Sequence, residues 1–177
     1  MALRRALGGP VTVTGLDLSS AQADKATVEL LSSLGANVSM TKNSVTVSGN
    51  KIKPLTVNID QFPDLMPVLS MTLAMAEGES KIVGGARLRI KESVRLAAMH
   101  RALASLGVNS HETEDSLTIT GGTLSGGIAD SAGDHRIVMA AALASLRGNV
   151  TITNSQAIEK SYPDFFRHYA LLGGRIK

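Results

Sequence analysis

One segment occurs three times in the sequence, and this repetition limits the folds that the chain can adopt. Each copy reads as a helix that ends at a glycine and leads into a strand. The copies lie at 30–38, 103–109 and 169–176. A glycine in this place suits the left-handed conformation that closes a helix. The copies recur every 72 and 66 residues, counted from Gly35 to Gly107 and from Gly107 to Gly173. This period is too long for a small solenoid repeat and suits a unit of two helices and several strands.

Strand and hairpin patterns recur around these copies. Runs that read as a strand and a turn lie at 11–15, 81–85 and 150–154. Alternating apolar and polar residues at 44–48 and 116–120 read as the second strand of a hairpin. Two further helices, predicted at 64–76 and 134–146, are apolar on nearly every side, which predicts that both are buried.

These patterns together predict an α/β (α+β) fold, in which a β-α-β-β-α-β unit occurs nearly three times with pseudo-threefold symmetry. Residues 1–177 are expected to form a single domain, with units at about 10–57, 58–128 and 129–177. The third unit is incomplete, because the sequence stops soon after the strand predicted at 174–176 begins. A unit that lacks strands leaves open sheet edges. We therefore expect residues 1–10, a missing part of the protein or a neighbouring chain to complete it.

Composition predicts a globular domain of the cytoplasm. Hydrophobic residues make up 44% and charged residues 19% of the 177 residues, which suits a packed core and not a disordered chain. The absence of cysteine excludes disulfides, thiolate chemistry and cysteine-based zinc sites, and it favours a cytoplasmic location. No long apolar stretch follows the N-terminus, so we expect neither a secretory signal nor a membrane anchor. The net charge of +3 fits anionic small molecules or nucleic acid as partners.

Four polar clusters stand where a loop leads into a helix. They centre on Asp64, on residues 91–95, on residues 134–136 and on residues 160–164. In a pseudo-threefold arrangement the helix N-termini would gather at one end of the domain. With the four basic residues of these clusters they would create a positive field, which suits a substrate with carboxylate and phosphate groups. These residues are Lys91, Arg95, Arg136 and Lys160.

Each cluster also has an ordinary structural interpretation. Asp64 and Asp134 suit helix N-caps. Lys91 and Arg95 suit a solvated helix face, and His135 suits a capping or structural histidine. Only the recurrence of the clusters at equivalent places supports a shared site.

The remaining histidines and glycines give no sign of a metal or nucleotide site. The histidines outside the clusters have no metal-ligand spacing. They are His100, His111 and His168. The Gly-rich pieces at 121–122 and 126–127 lack the P-loop and dinucleotide patterns and read as turns. We expect neither a metal nor a cofactor.

The four clusters, at 60–64, 89–95, 133–140 and 159–165, resemble motifs of a known enzyme family. They are similar to the C-terminal domain of 5-enolpyruvylshikimate-3-phosphate synthase (3-phosphoshikimate 1-carboxyvinyltransferase), in the same order and over almost the whole chain. The sister family that acts on UDP-N-acetylglucosamine shares the fold but differs at 91–95, and it stays an alternative. The resemblance implies one domain of a two-domain "inside-out barrel" that closes on phosphoenolpyruvate and shikimate 3-phosphate, without a cofactor.

The resemblance implies catalytic roles for three residues. Asp64 would take the proton from the shikimate 5-hydroxyl as it attacks C2 of phosphoenolpyruvate. Glu92 would transfer a proton at the methylene carbon. Lys160 would contact phosphoenolpyruvate and is the other candidate for that proton transfer. Such an addition needs a base for one partner and an acid for the other.

It also implies a set of substrate-binding residues. Arg95 and Arg136 would hold the carboxylate and phosphate of phosphoenolpyruvate, for which the guanidinium fork is suited. Lys91 would reach the shikimate ligand. Asp64, Lys160 and His135 complete the set. Arg87 departs from the family, which commonly has a neutral or acidic residue there.

The family's N-terminal domain is absent from this sequence, and with it a Lys-Ser pair, a Gly-rich loop and further arginines. We therefore expect this chain to need that domain as a partner and to be inactive alone. A non-catalytic module that binds anions or RNA, and a structural fragment, are the other readings. Against RNA, Phe and Tyr together number only five and no basic run occurs. We expect neither nucleic acid nor membrane as a partner.

Overall fold

The computed structural model describes residues 9–17, 26–49, 51–90 and 94–177. Its strands are β1 (Val11–Thr14), β2 (Asn37–Met40), β3 (Ser44–Ser48), β4 (Thr56–Asn58), β5 (Gly78–Val83), β6 (Asn109–Glu112), β7 (Leu117–Gly121), β8 (Gly127–Asp130) and β9 (Val150–Thr153). Its α-helices are α1 (Ala26–Ser33), α2 (Met66–Ala74), α3 (Arg95–Ser105), α4 (His135–Ala144) and α5 (Phe165–Leu171). Three short 3₁₀ helices precede or link these elements: Pro63–Leu65, Ala86–Ile90 and Ser155–Lys160.

The strands form three sheets. The first is antiparallel, with the order β1-β3-β2. The second has the order β4-β5-β7-β6, in which β4 and β5 are parallel and the other pairs antiparallel. The third is the parallel pair of β8 and β9. A parallel pair needs a crossover, and α2 and α4 provide it in the second and third sheets.

The core is centred on α2 and α4, which pack against each other. All residues of α2 except Val68 are buried, and most of α4 is buried as well. Alanines of α4, among them Ala140, Ala141 and Ala144, are fully buried and keep that helix narrow. The buried hydroxyl of Ser70 on α2 donates to the carbonyl of Met66, so this polar group is satisfied within the helix.

The prediction of a mixed α/β fold is confirmed, and so is the burial of the two apolar helices. Their predicted N-termini need one correction. The helix expected from Asp64 begins at Met66, because Pro63–Leu65 forms a 3₁₀ turn first. The helix expected from Asp134 begins at His135, and Asp134 is its N-cap.

The strand predicted at 174–176 is wrong. After α5 the chain forms a closing turn, in which the backbone N–H of Gly173 donates to Ala170 and that of Gly174 donates to Tyr169. Gly173 has φ +98°, the left-handed conformation that this helix end requires. The sequence pattern identified the glycine correctly but not the backbone that follows it. The β-α-β-β-α-β repeat stays a prediction.

No helix in the described ranges has both the length and the apolar character needed to cross a lipid bilayer.

Candidate functional site

The beginnings of three helices meet at one place in the molecule. Asp64 lies in the 3₁₀ turn that precedes α2, and Arg95 is the first residue of α3. Asp134 caps α4, and Arg136 lies in its first turn. These four residues form the arginine–aspartate cluster.

Each guanidinium group of the cluster donates to a carboxylate on another element. Arg95 Nε donates to Asp134 Oδ2 over 2.8 Å, and Arg95 Nη1 donates to Asp64 Oδ1 over 3.0 Å. Arg136 Nη2 donates to Asp64 Oδ2 over 2.9 Å. Asp64 therefore bridges the two arginines, while Arg95 bridges the two aspartates.

The cluster has a buried pair and a half-exposed pair. The side chains of Arg95 and Asp134 are 0% exposed, whereas those of Asp64 and Arg136 are 32% and 29% exposed. A buried charge is tolerated when an opposite charge and hydrogen bonds surround it. The buried pair therefore holds α3 against α4, and the half-exposed pair is the part that a ligand can reach.

Asp134 also caps the start of α4. Its Oδ1 accepts the backbone N–H of Arg136 over 2.9 Å, as an N-cap carboxylate does. The side chain of Asp134 thus caps α4 and also balances the charge of Arg95. The N-cap interpretation of Asp134 is confirmed. That of Asp64 is wrong, because the N-cap positions of the 3₁₀ turn and of α2 are Phe62 and Leu65.

Lys160 lies beside the start of α4. It ends the 3₁₀ helix Ser155–Lys160, its side chain is exposed, and its Nζ lies 3.5 Å from the carbonyl oxygen of Gly133. His135 follows the N-cap directly and is buried, at 8% exposure. The exposed ammonium group of Lys160 thus adds a second positive charge near that of Arg136.

Two carboxyl groups near these elements have a lowered pKa. The backbone N–H of Ala132, with help from the side chains of Asn154 and Thr153, holds the pKa of Asp130 below its ordinary value. The hydrogen bond from Arg167 lowers the pKa of Asp164, whose side chain is exposed. Hydrogen bonds to the ionised form account for both shifts.

The structure places the predicted site residues unequally. It brings Asp64, Arg95 and Arg136 into direct contact, with Lys160 beside the same helix start. The interpretation of Arg95 as part of a solvated helix face is wrong, since its side chain is fully buried. Lys91 and Glu92 lie outside the described residues.

Sequence reasoning missed the ion pair of Asp134. The sequence pattern assigns Asp134 the role of a helix N-cap and gives it no partner on another helix. The charge of Arg95 was the signal that could have revealed the pair. A cation that is buried at the start of α3 needs a carboxylate nearby. Arg87, whose role the sequence left open, lies at the surface with its Nε 3.6 Å from Asp60 Oδ1.

In the described part of the chain no three His, Asp or Glu side chains are grouped to hold a metal ion.

A family model described as EPSP synthase (3-phosphoshikimate 1-carboxyvinyltransferase) matches residues 2–169. Curated relatives carry the name 3-phosphoshikimate 1-carboxyvinyltransferase. The protein of Clostridium novyi (strain NT) is 40% identical over 173 residues, which cover 96% of this chain and 40% of the relative. That of Methanosarcina acetivorans is 42% identical over 174 residues, with 96% and 40% covered. The chain thus spans about 40% of the length of the relatives that it matches.

Solved structures agree with this match. The EPSP synthase of Acinetobacter baumannii superimposes with a TM-score of 0.86 and 26% identity, covering 99% of this chain and 45% of that chain. The enolpyruvyl transferase NikO of Streptomyces tendae gives a TM-score of 0.76 at 22% identity, covering 99% and 42%. The second likeness concerns the fold alone.

Proposed function

Because the chain belongs to the EPSP synthase (3-phosphoshikimate 1-carboxyvinyltransferase) family, we propose that it forms one part of an enzyme that transfers the enolpyruvyl group of phosphoenolpyruvate to the 5-hydroxyl of shikimate 3-phosphate. The single observation that carries the proposal is the arginine–aspartate cluster at the meeting point of three helix starts. It offers a half-exposed guanidinium next to a half-exposed carboxylate, as an anionic substrate with a hydroxyl partner requires. We propose a cytoplasmic location.

The chain would be the C-terminal domain of that enzyme, with three β-α-β-β-α-β units of which the third is incomplete. Strand order supports this arrangement. In the second sheet the parallel pair of β4 and β5 continues into the antiparallel strands β7 and β6. The first sheet contains the antiparallel part of that pattern, and the third sheet contains the parallel part.

Arg136 would bind the carboxylate or phosphate of phosphoenolpyruvate. Within the part of the chain that the structure describes, only one of its guanidinium nitrogens, Nη2, has a side-chain acceptor, and that acceptor is Asp64. An arriving anion therefore competes with Asp64 for the same cation. Arg95 is fully buried, so its role would be to hold Asp64 in place and to add positive charge from behind.

Asp64 would be the base. When an anion engages Arg136, that guanidinium releases Oδ2 of Asp64, which then accepts the proton of the shikimate 5-hydroxyl. The hydroxyl oxygen then forms a bond to C2 of phosphoenolpyruvate, while the methylene carbon takes a proton from an acid. Loss of a proton from the resulting methyl group and departure of phosphate restore the enol ether, which balances the reaction.

Lys160 and Glu92 are the proposed acids for the methylene carbon. The exposed position of Lys160 beside the start of α4 supports this role. The roles of Glu92 and Lys91 rest on the family motif, as both lie outside the described residues. His135 is a proposed substrate contact through its place between Asp134 and Arg136.

The proposed reaction would also need residues beyond these 177, since they span about 40% of the length of the relatives that they match. An anion bound at Arg136 alone would face water, where each charged contact contributes little. We therefore expect no turnover by the chain alone. Turnover should require a partner that supplies the remaining motifs of the family.

The test is complementation. The chain is mixed with the separately produced remainder of a full-length family member, and phosphate release from phosphoenolpyruvate and shikimate 3-phosphate is measured. We expect release from the mixture and from neither part alone. Asp64→Asn should lower the rate of the mixture by roughly 100-fold or more, the range for loss of a general base.

Asp115→Asn is the matched control, because Asp115 is an exposed aspartate in the turn between β6 and β7. It should leave the rate unchanged. A mixture without phosphate release, or one in which Asp64→Asn is as active as Asp115→Asn, contradicts the proposal.

A further inference from the structure

One carboxylate ties together the two loops that lead to Arg136 and Lys160. Asp130 is the last residue of β8, and its register partner on β9 is Thr153. The loop after β8 leads to the N-cap of α4, and the loop after β9 leads to the 3₁₀ helix that ends at Lys160. Asp130 therefore lies where both loops begin.

Three hydrogen bonds converge on Oδ1 of Asp130. The backbone N–H of Ala132 donates to it over 3.0 Å, within the first loop. The side chain of Asn154, the first residue after β9, donates over 3.0 Å, and that of Thr153, the last residue of β9, donates over 3.2 Å. A single oxygen atom thus joins the two loops.

The residues that it holds have an unusual backbone. Ala132 has φ +51° and Asn154 has φ +55°, and they are the two non-glycine residues with positive φ among those that the structure describes. Residues with a side chain rarely adopt this region, so surrounding contacts must maintain it. Asp130 accepts a hydrogen bond from each of these two residues.

Ser131 extends the link toward the cations. Its buried hydroxyl donates to the carbonyl of Asn154 over 3.0 Å and accepts the backbone N–H of Gly133 over 3.3 Å. The carbonyl of Gly133 in turn faces Lys160 Nζ. The contacts that begin at Asp130 therefore lead to Gly133. This residue directly precedes the N-cap of α4, and its carbonyl oxygen accepts from Lys160.

We propose that Asp130 is a positioning residue that sets the distance between Arg136 and Lys160. The inference rests on the proposed function, in which both cations meet phosphoenolpyruvate. Asp130 does not touch the substrate in this role. Its side chain is at the surface and outside the core, so its effect falls on the geometry of the two loops more than on global stability. The lowered pKa of Asp130 keeps it ionised at neutral pH, the form that accepts these bonds best.

The test compares three variants in the complemented mixture. Asp130→Ala removes all three hydrogen bonds, and we expect KM for phosphoenolpyruvate to rise by roughly tenfold or more, since displaced binding groups commonly cost that much. Asp130→Asn retains an amide oxygen that can accept the same bonds. It should keep KM within about threefold of wild type, by the same reasoning.

Ser145→Ala is the control for a purely structural effect. Ser145 donates to the carbonyl of Ala142 and contacts the hydroxyl of Tyr169 at the far end of α4. Its loss should lower Tm without changing KM. A rise of KM in Asp130→Ala alone, with rescue by Asn, supports the positioning role.

The outcomes separate this inference from the proposed function. If the wild-type mixture releases no phosphate, the proposed function fails and this role fails with it. If the wild-type mixture is active but Asp130→Ala keeps the KM of Ser145→Ala, the inference alone is overturned. Equal rises of KM in the Ala and Asn variants also overturn it, because the oxygen position would then not matter.

A second measurement needs no turnover. In the chain alone, the backbone amide signals of Ala132 and Gly133 in a ¹H–¹⁵N NMR spectrum should shift in Asp130→Ala and stay near their wild-type positions in Asp130→Asn and Ser145→Ala. Unshifted signals in Asp130→Ala would overturn the link between the carboxylate and the loop.

Discussion

Arg95 is the residue on which the candidate site depends most. Its side chain is fully buried, and it donates to Asp134 from Nε and to Asp64 from Nη1. Burial of a charge is costly unless partners surround it, and here the partners come from two other elements. One guanidinium group therefore holds three helix starts together.

Replacement of Arg95 by alanine should destabilise the protein by about 3–5 kcal/mol, because the carboxylate of Asp134 would stay buried without its cation. Arg95→Lys should lie between alanine and wild type, since it keeps the charge but not the fork. Urea denaturation measures both. Arg167→Ala, which breaks the exposed pair with Asp164, is the control and should change the midpoint little. Equal midpoints for Arg95→Ala and Arg167→Ala would contradict this assignment.

Asp130 should make stability depend on pH at the acid end. Its pKa is lowered from 3.8 in the folded chain, so its contribution is fully present above that value and is lost as the pH falls through the lower folded pKa. Asp130→Asn should be slightly less stable than wild type near neutral pH, and the difference should close below pH 3.8. Thermal unfolding over a pH series measures it. Ser145→Ala does not titrate, and its difference from wild type should stay constant.

At the scale of elements, α2 and α4 form part of the hydrophobic core and also carry residues of the candidate site. Each begins at the arginine–aspartate cluster and continues as a buried helix. Their contact fixes the distance between Asp64 and Arg136. A change in the packing of the two helices should therefore reach the cluster.

Truncation of a buried leucine on α2 tests the packing. Leu73 is fully buried, and Leu73→Ala should cost about 2–5 kcal/mol through lost contacts and a cavity. Leu171 on α5 is 75% exposed, so Leu171→Ala is a matched control that should change stability little. Urea denaturation compares the two. Similar midpoints would show that α2 is not part of the core.

The sequence predicted helices and strands correctly where its apolar periodicity matches the burial that the structure shows. The apolar helices, and the strands at 11–14 and 44–48, lie where alternation or apolar periodicity indicates them. The strand predicted at 174–176 failed because a strand depends on a partner strand, which a local pattern does not contain. The 3₁₀ turn at Pro63–Leu65 was not predicted, because proline suits the first turn of a 3₁₀ helix as well as that of an α-helix.

The site was predictable as a set of residues and less so as a set of contacts. The family motifs singled out Asp64, Arg95 and Arg136, and the structure brings these three together. The ion pair of Asp134 with Arg95 joins positions 39 apart in sequence, and no spacing rule connects them. The contacts of Asp130 were not predicted for a related reason, since its partners lie at the end of the neighbouring strand β9 and just after it, as well as in its own loop.

At the scale of the whole molecule, the cluster is neutral before any ligand arrives. Two arginines and two aspartates balance, and Lys160 adds one positive charge at the rim. In the proposed function, attraction for an anion would therefore come from an exchange of partners at Arg136 and not from a large net charge. Such an exchange favours an anion only weakly while water fills the rest of the site.

We expect phosphoenolpyruvate to bind the chain alone with an affinity weaker than micromolar, and to bind more tightly in the complemented mixture. Isothermal titration calorimetry of both samples measures this. Arg136→Lys should weaken binding in the mixture, because a single ammonium cannot engage the anion as a fork. Arg167→Lys is the control at an exposed arginine. Micromolar affinity of the chain alone would contradict the need for a partner.

The contrast in burial between the two arginines has a practical consequence for genetics. In a screen for strains that have lost the proposed activity, we expect changes at Arg95 to give mainly protein that fails to accumulate. We expect changes at Arg136 to leave normal amounts of inactive protein. An immunoblot of such strains would sort the two positions before any assay was run.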